Sequence, residues 1–261
     1  MERAIRDNWT LSFGASRRVS RPDPAFLNPY VDYEYTPNLQ AGNPRLRPQY
    51  SESFELGIGY EGKGRSCSLT GYYRRNQDTV TDVTEYLANG QSLTTKTNLP
   101  KDTSAGMEFS ANGRLWKKLT YGVSGNLFHS QIDATALGIS GLQSTTGLNA
   151  KAKLDYRPTD ADSAQITVTR TDKRLTPQGY VAAINIVNLG YKHQFSPPVT
   201  AVATVTDIGN GQKLHRYSAS PAFTQDYRRT VVGRILYVGI VYSFGYTNKE
   251  PQPSFEYDQT P

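Results

Sequence analysis

Residues with the chemistry of catalysis are few and scattered in this sequence. The three histidines, His129, His193 and His215, lie on separate segments and lack the spacing of metal ligands. The chain has no G-x-S-x-G, H-E-x-x-H or phosphate-cradling glycine motif. Asp160 and Asp162 in the stretch TDAD could contact a cation, but a solvated turn is the simpler explanation. The sequence therefore predicts no enzyme, no metal site and no cofactor.

Arginine pairs are the charged groups with the most regular arrangement. Adjacent residues of a β-strand point to opposite faces, so a pair on a strand sends one guanidinium to each side. A guanidinium fork suits the oxygens of phosphates and carboxylates. The pairs are Arg17 with Arg18, Arg74 with Arg75, and Arg228 with Arg229.

Tyrosines are concentrated between Ser20 and Pro48. This segment contains Tyr30, Tyr33 and Tyr35 together with several prolines. Aromatic loops on a rigid scaffold are common recognition surfaces, so these rings are candidates for binding an external ligand. Packing against neighbouring loops is the alternative.

The elements that must hold these side chains alternate with a period of two. In the stretch GRILYVGIVYSF, every second residue from Leu236 to Phe244 is apolar, and small or mixed residues separate them. Comparable alternation occurs in nine further stretches, which begin at Trp9, Ser53, Ser68, Ala105, Leu119, Leu148, Ala164, Asn185 and Val199. The sequence therefore predicts roughly ten strands with one apolar face each.

The connections between these strands alternate between long and short. Long segments follow Arg18, Arg75, Ser130 and Ile208, whereas EGKGR, WKK and SPP are tight turns. A β-sandwich has no reason to sort its loops in this way. An outer-membrane barrel does, because its periplasmic turns are short and its extracellular loops are long.

Aromatic residues mark the end of the sheet that carries the short turns. Rings at this position are typical of the aromatic girdle at a membrane interface, although core residues at a sheet end are the alternative. They are Trp9, Tyr60, Trp116, Tyr121, Tyr156, Phe195 and Phe244. We therefore predict an all-β fold, an antiparallel up-and-down transmembrane β-barrel whose apolar face contacts lipid and whose polar face lines a lumen.

Strand parity then assigns the arginines to faces near the long-loop, extracellular end. Arg17, Arg75 and Arg234 share parity with the lipid-facing residues, so they could meet lipopolysaccharide phosphates; solvated charge above the bilayer is the alternative. Arg18 and Arg74 face the lumen by the same parity. These two could contact a ligand.

Lumen carboxylates offer Arg18 and Arg74 another partner. Glu55 and Glu108 have lumen parity, and structural ion pairs with them are the simpler expectation for the inward arginines.

Composition narrows the class of protein further. The chain has 261 residues, 37% of them hydrophobic, a mean hydropathy of −0.58 and 18 tyrosines. No run of 18 apolar residues occurs, which excludes a transmembrane helix but not barrel strands. The single Cys67 excludes a disulfide framework and a cysteine-based zinc site within one chain. The net charge of +6 is dispersed, so no nucleic-acid partner is expected.

Two stretches in order resemble the barrel of TonB-dependent outer-membrane receptors. These are SRRVSRPDPAFLNPYVDY and AGNPRLRPQYSESFELGIGY; in the second, an Asn-Pro-x-Leu-x-Pro segment leads into a Ser-Phe-Glu-Leu-Gly strand. The stretches YYRRNQDTVTDV, TNLPKDTSAGMEFSANGRL and VTDIGNGQKLHRY agree with the same family. The resemblance covers nearly the whole chain and implies a protein of the outer membrane of a Gram-negative bacterium.

The resemblance also implies parts that the sequence does not contain. Members of the family begin with a signal peptide, a TonB-contacting segment and a plug, and close a barrel of about 22 strands. The amino terminus MERAIRDNWT has no export signal, so we expect residues 1–244 to be the carboxy-terminal part of such a barrel. The function implied is energised uptake of a siderophore or another large solute, with TonB acting through the plug. A self-contained small outer-membrane barrel that acts as a passive pore or as a structural protein is the alternative, and an outer-membrane enzyme is a third.

The end of the chain carries a further element of the resemblance. Gly239, Tyr242 and Phe244 in YVGIVYSF match the spacing of the signal that the barrel-assembly machinery recognises. Residues 245–261 are polar, and we expect them to form a periplasmic tail.

Overall fold

A computed structural model describes residues 2–34, 37–139, 142–220, 223–230 and 233–244. Short 3-10 segments lie at Pro24–Leu27 and Thr135–Leu137. Within the described residues, none of the helical segments has the length and apolar character needed to cross a membrane. The strands are β1 (Glu2–Arg6), β2 (Trp9–Ser20), β3 (Asn38–Ala41), β4 (Gln49–Gly62), β5 (Arg65–Tyr86), β6 (Ser92–Trp116), β7 (Leu119–Asp133), β8 (Leu142–Tyr156), β9 (Asp162–Thr171), β10 (Arg174–Thr176), β11 (Gly179–Val181), β12 (Ile184–Ser196), β13 (Val199–Thr206), β14 (Lys213–Ser220), β15 (Phe223–Thr230) and β16 (Ile235–Tyr242).

One large antiparallel sheet forms the body of the described chain. Its path is β1-β2-β4-β5-β6-β7-β8-β9-β12-β13-β16, and β3 is added in parallel to β6. Ten of the strands on this path are the predicted ones, and successive strands along the chain are neighbours, as an up-and-down barrel requires. β1 is additional; its five residues are too few and too charged for a period-two pattern to predict it.

Short turns collect at one edge of this sheet, which we call the turn edge. They consist of residues 7–8, 63–64, 117–118, 157–161 and 197–198. Lys63 and Gly64 both have positive φ, 51° and 71°, which is the type I′ geometry that suits the twist of a two-residue hairpin. All the long connections leave from the opposite edge, called the loop edge below. The predicted asymmetry is therefore present.

The two faces of the sheet differ in polarity. Cross-strand pairing aligns Phe13, Leu56, Gly71, Met107 and Leu127 in one row of one face. These side chains are not packed in a core: Leu56 is 57% exposed and Met107 47%. Such a continuous exposed apolar surface requires an apolar solvent, so we call it the lipid face.

The opposite face is polar and is called the lumen face. One of its rows contains Ser12, Gly57, Thr70, Glu108 and Asn126. Buried apolar side chains are few in the described part of the chain and lie mainly towards the loop edge; they are Leu39, Tyr72, Leu99 and Ala134.

The loop edge is more ordered than the sequence predicts. The long segment after Arg75 is not a loop: β5 and β6 continue as a hairpin of 22 and 25 residues that closes at residues 87–91. The segments after β9 and β13 supply a second, four-stranded sheet in the order β10-β11-β14-β15. These strands mix polar, aromatic and apolar residues on each face, so no apolar alternation marks them in the sequence.

Candidate functional site

An ion-paired network occupies the lumen face of β4, β5 and β6. The Nη2 atom of Arg74 lies 3.2 Å from Glu55 Oε1 and 3.6 Å from Glu108 Oε1. The Ser53 hydroxyl donates to the same Glu55 oxygen at 2.9 Å. The guanidinium of Arg74 also lies over the Tyr72 ring, 4.4 Å from its centroid. The ion pairs expected for Arg74 are therefore present, and its charge is compensated within the wall.

Tyr72 extends this network towards β7. Its side chain is buried, and its hydroxyl donates to Asn126 Oδ1 at 3.0 Å. Gly106 makes room for the ring, because a Cβ at that position would lie 2.7 Å from the Tyr72 hydroxyl oxygen. Arg18 lies on the same face opposite Ser51 and makes no ion pair with a described residue. The lumen face is thus a polar wall in which the charge of Arg74 is paired and that of Arg18 makes no ion pair with a described residue.

The outward arginines fall into two separate places. Pairing sets Arg17 opposite Glu52 and Glu52 opposite Arg75, so the sheet brings Arg17 and Arg75 into one row of the lipid face. Arg234 is exposed beside the start of β16, at the far side of the sheet. It is not part of the Arg17 and Arg75 row.

The tyrosine-rich connection between β2 and β4 is anchored to the long β5–β6 hairpin. Arg47 Nη2 lies 2.6 Å from Asp78 Oδ1, and the Asn43 amide donates to the Lys96 carbonyl at 2.9 Å. Tyr30 and Tyr33 remain 82% and 66% exposed, so they do not pack against described neighbours. Tyr35 lies outside the described residues. The structure thus holds two of the three predicted rings on a fixed scaffold.

A further cluster, absent from the predicted sites, lies on one face of the four-stranded sheet. The rings of Tyr180 and Tyr217 stack with centroids 5.5 Å apart, and Lys173 Nζ lies 5.5 Å from the Tyr180 centroid. His215 approaches the Tyr180 ring edge-on at 6.3 Å. Arg228 lies on the same face, across from His215. We call these five residues the loop-edge cluster.

Asp226 connects the basic members of the loop-edge cluster. Arg228 Nε donates to Asp226 Oδ1 at 3.0 Å, and His215 Nε2 lies 3.1 Å from the same oxygen. The hydrogen bond from Arg228 is the main reason that the pKa of Asp226 lies below its usual value. The carboxylate therefore stays ionised at neutral pH and orients both side chains.

The sequence marks two parts of the loop-edge cluster without joining them. FTQDYRR contains the predicted Arg228 and Arg229 pair, and KLHRY ends one of the stretches that resemble the receptor family. The pairing of β11 with β14 joins Tyr180 to Tyr217, and sequence patterns do not indicate which remote strands pair.

Side-chain contacts fasten the second sheet to the β5–β6 hairpin. The Gln178 amide accepts from the Thr84 backbone N–H at 3.0 Å and donates to the Thr84 carbonyl at 2.9 Å, as a neighbouring strand would. The rings of Tyr86 and Phe223 are 4.8 Å apart. The loop edge is therefore one assembled surface above the barrel wall.

The closing strand places the predicted assembly residues at the turn edge. Tyr242 and Phe244 lie on the lipid face with ring centroids 6.3 Å apart, and Phe244 is 88% exposed. A Cβ at Gly239 would lie 3.1 Å from the Tyr237 ring, which covers this glycine. The parity assigned to these residues agrees with the structure, whereas their role in assembly stays a prediction.

The fold and the polarity of its faces define a class of protein. An antiparallel up-and-down sheet with an apolar outer face, short turns at one edge and aromatic residues beside them is the wall of a transmembrane β-barrel. The chain belongs to the outer membrane protein beta-barrel family, whose model matches residues 2–244. It is therefore a protein of the outer membrane.

Solved structures similar to this chain include two receptors and a transporter. The siderophore receptor PirA from Pseudomonas aeruginosa is 17% identical, with a TM-score of 0.64 over 93% of this chain and 41% of that receptor. The copper transporter OprC is 17% identical, with a TM-score of 0.65; the match covers 93% of this chain and 39% of that transporter. A mutant of the ferric enterobactin receptor PfeA from Pseudomonas aeruginosa is 21% identical, with a TM-score of 0.59; the match covers 93% of this chain and 39% of that receptor.

These likenesses establish the fold alone, because the identities are low. They confirm the predicted fold class and the resemblance to the barrel of TonB-dependent receptors. This chain spans about two fifths of the length of these structures. No curated protein matches its sequence.

Proposed function

We propose that this chain is the barrel part of a TonB-dependent receptor for energised uptake of a siderophore or another large solute. Its plug and remaining strands would lie outside the sequence described here. The fold shared with a siderophore receptor and a copper transporter supports this proposal. A passive pore shares the barrel but has no need of an assembled recognition surface.

The loop-edge cluster is the observation that carries the proposal. Stacked tyrosines offer flat aromatic surface beside the positive charge of Lys173, with the Arg228–Asp226 ion pair on the same face. Such a combination suits a large anionic solute with aromatic or conjugated groups. Tyr30 and Tyr33 add two exposed rings on the neighbouring scaffold, and we propose that Tyr35 belongs with them.

The lumen face supports a role for the plug. Arg74 is compensated by Glu55 and Glu108, so this part of the wall suits a structured polar partner better than a free anion. We assign Arg18, which has no ion pair with a described residue, to contact with plug or solute. TonB would act through that plug.

Uptake by cells that express the complete gene product tests the proposal. A panel of radiolabelled ferric catecholate and hydroxamate chelates, with Cu(II) as a further substrate, should include one that enters only when TonB is present. Replacing Tyr180 and Tyr217 by Ala should raise the concentration for half-maximal uptake about tenfold, since buried aromatic contacts dominate binding.

Tyr227→Ala is the matched control. Tyr227 lies on β15 next to Asp226, so it faces the other side of the same sheet and should leave uptake unchanged. Equal uptake by cells with and without TonB would favour the passive pore and overturn the proposal. An unchanged half-maximal concentration in the double variant would remove the loop-edge cluster from recognition.

A further inference from the structure

The connection between β13 and β14 is a compact turn that one carboxyl group closes. Asp207 is 1% exposed, the lowest fraction of any charged residue that the structure describes. Its Oδ1 atom accepts from the Gly211 N–H at 2.7 Å, and its Oδ2 atom accepts from the Gln212 N–H at 2.9 Å. Because burial of a polar group is costly unless the group is hydrogen-bonded, both oxygens need these donors. The Asp207 side chain therefore fixes the chain just before β14 begins.

The same turn is joined to β12. The Asn188 side chain accepts from the Asp207 N–H at 2.9 Å, and Asn188 is itself buried. A Cβ at Gly211 would lie 1.9 Å from the Asn185 carbonyl oxygen, so only glycine lets the two segments approach this closely. The turn thus connects β12, β13 and β14, and we call Asn188, Asp207 and Gly211 the joint.

The backbone of the turn has an unusual conformation. Asp207 and Asn210 have φ angles of 48° and 50°, in the left-handed region where Asp and Asn are the most frequent residues after glycine. Such a conformation persists only when its surroundings determine it strongly. The hydrogen bonds of the Asp207 side chain supply that determination, so they set the direction in which β14 leaves the wall.

Both tyrosines of the loop-edge cluster lie on strands that meet at the joint. Tyr180 on β11 is five residues before Asn185, and Tyr217 on β14 is six residues after Gly211. The ladder that sets the two tyrosines opposite each other contains only three residue pairs. So short a ladder is weak by itself, so its register depends on how the joint holds the two segments.

We propose that Asp207 is a positioning residue for the loop-edge cluster. It is buried away from any solute, and it acts by setting the register and spacing of the Tyr180 and Tyr217 rings. The consequence for uptake rests on the proposed function, whereas the effect on the rings does not.

Asp207→Asn isolates this role. Asparagine keeps the size of the side chain and tolerates the left-handed conformation. Whichever way its amide turns, one of the two backbone N–H donors faces an NH₂ group instead of an oxygen. One hydrogen bond of the joint is therefore lost, while the volume of the buried side chain is unchanged.

Cysteines at the two ring positions report the spacing without any solute. Tyr180→Cys with Tyr217→Cys is made in the complete gene product that also carries Cys67→Ser, and copper phenanthroline oxidises the pair in outer-membrane fractions. A disulfide forms only when the two Cα atoms are close. Asp207→Asn should slow its formation about tenfold, since a hydrogen bond to a carboxylate is lost. Gly211→Ala should slow it as well, because the added methyl group separates the two segments.

Two controls separate the joint from general stability. Ser68→Cys with Ser110→Cys places a second cysteine pair across β5 and β6 in the barrel wall, and its cross-linking rate should not change with Asp207→Asn. Asp160→Asn makes the same chemical change at an exposed position of the turn edge and should leave both cross-links unchanged. An unchanged rate for the tyrosine positions in both joint variants, or equal slowing of the wall pair, would overturn the proposal.

Uptake of the radiolabelled ferric chelates and Cu(II) connects position to recognition. Asp207→Asn should raise the concentration for half-maximal uptake, and it should have no further effect when Tyr180 and Tyr217 are both alanine, because no rings remain to be positioned. Additive effects would mean that the turn does not act through the rings. If the unchanged protein takes up none of these solutes by a TonB-dependent route, the proposed function fails, and the cross-linking rates alone decide the role of Asp207.

Discussion

Arginine side chains on the two faces of the sheet differ in the ion pairs and hydrogen bonds that they make. On the lumen face, Arg74 contacts two carboxylates and a tyrosine ring, whereas Arg18 makes no ion pair with a described residue. On the lipid face, the buried Nε of Arg75 has no hydrogen-bond partner among the described residues. Identical residues therefore differ in how far their charge is compensated by neighbours across the strands.

Arg74→Ala should destabilise the barrel modestly. It leaves Glu55 and Glu108 facing each other without the cation between them, but the pair is 43% exposed on the arginine side, so solvent screens the charges. We expect a loss of about 1 kcal/mol in the free energy of unfolding, measured by urea unfolding in vesicles. Arg18→Ala should cost less than half as much, and equal losses would contradict a special role for the Arg74 network.

At the scale of elements, a strand meets different environments on its two faces and along its length. β8 alternates Ala152 and Leu154 on the lipid face with Lys151 and Lys153 on the lumen face. β5 and β6 continue beyond the membrane into water, where the Gln178 contact with Thr84 replaces apolar packing. The same backbone geometry is thus stabilised by lipid at one end and by polar contacts at the other.

Ala152→Arg should lower the free energy of unfolding far more than Lys153→Arg. Ala152 lies on the lipid face four residues from the Tyr156 ring, well inside the apolar band, whereas Lys153 points into the lumen. The expected cost of Ala152→Arg is about 2–4 kcal/mol, against roughly zero for Lys153→Arg. Unfolding free energies in lipid vesicles measure both, and similar values would mean that the two faces are assigned wrongly.

For the whole molecule, the decisive feature is that the described sheet has two edges. β1 and β16 each have one described neighbour, and β16 is highly exposed, with Ile240 at 76%. Unpaired backbone groups cannot be satisfied in lipid, so a stable barrel must pair both edges with further strands. We therefore expect the described residues alone to aggregate instead of inserting. Heat-modifiable migration with protease protection in vesicles would contradict this expectation.

Assembly of the complete barrel should depend on the end of β16 and not on the tail. Phe244→Ala removes an exposed ring at the turn edge, where the assembly machinery would meet the last strand, and should sharply lower the amount of protein in outer-membrane fractions. Deletion of residues 246–261 should have a small effect, because we assign the tail to the periplasm. If tail deletion abolishes assembly while Phe244→Ala is silent, the assignment of the assembly signal is wrong.

The sequence by itself determined the strands, their faces and their turns. Alternation such as Leu148, Ala150, Ala152 and Leu154 is a local property, because successive side chains of a strand point to opposite sides. The two-residue turn at Lys63 and Gly64 is equally local. Family resemblance added the outer membrane and the receptor barrel.

Tertiary structure decided which of these side chains meet. Arg74 pairs with Glu108, and Tyr180 stacks on Tyr217, only through strand pairing between distant segments. The second sheet was invisible in the sequence because strands in water need no apolar face, so the period-two signal is absent there. Register between remote strands is set by the sum of cross-strand contacts, which no single stretch of sequence contains.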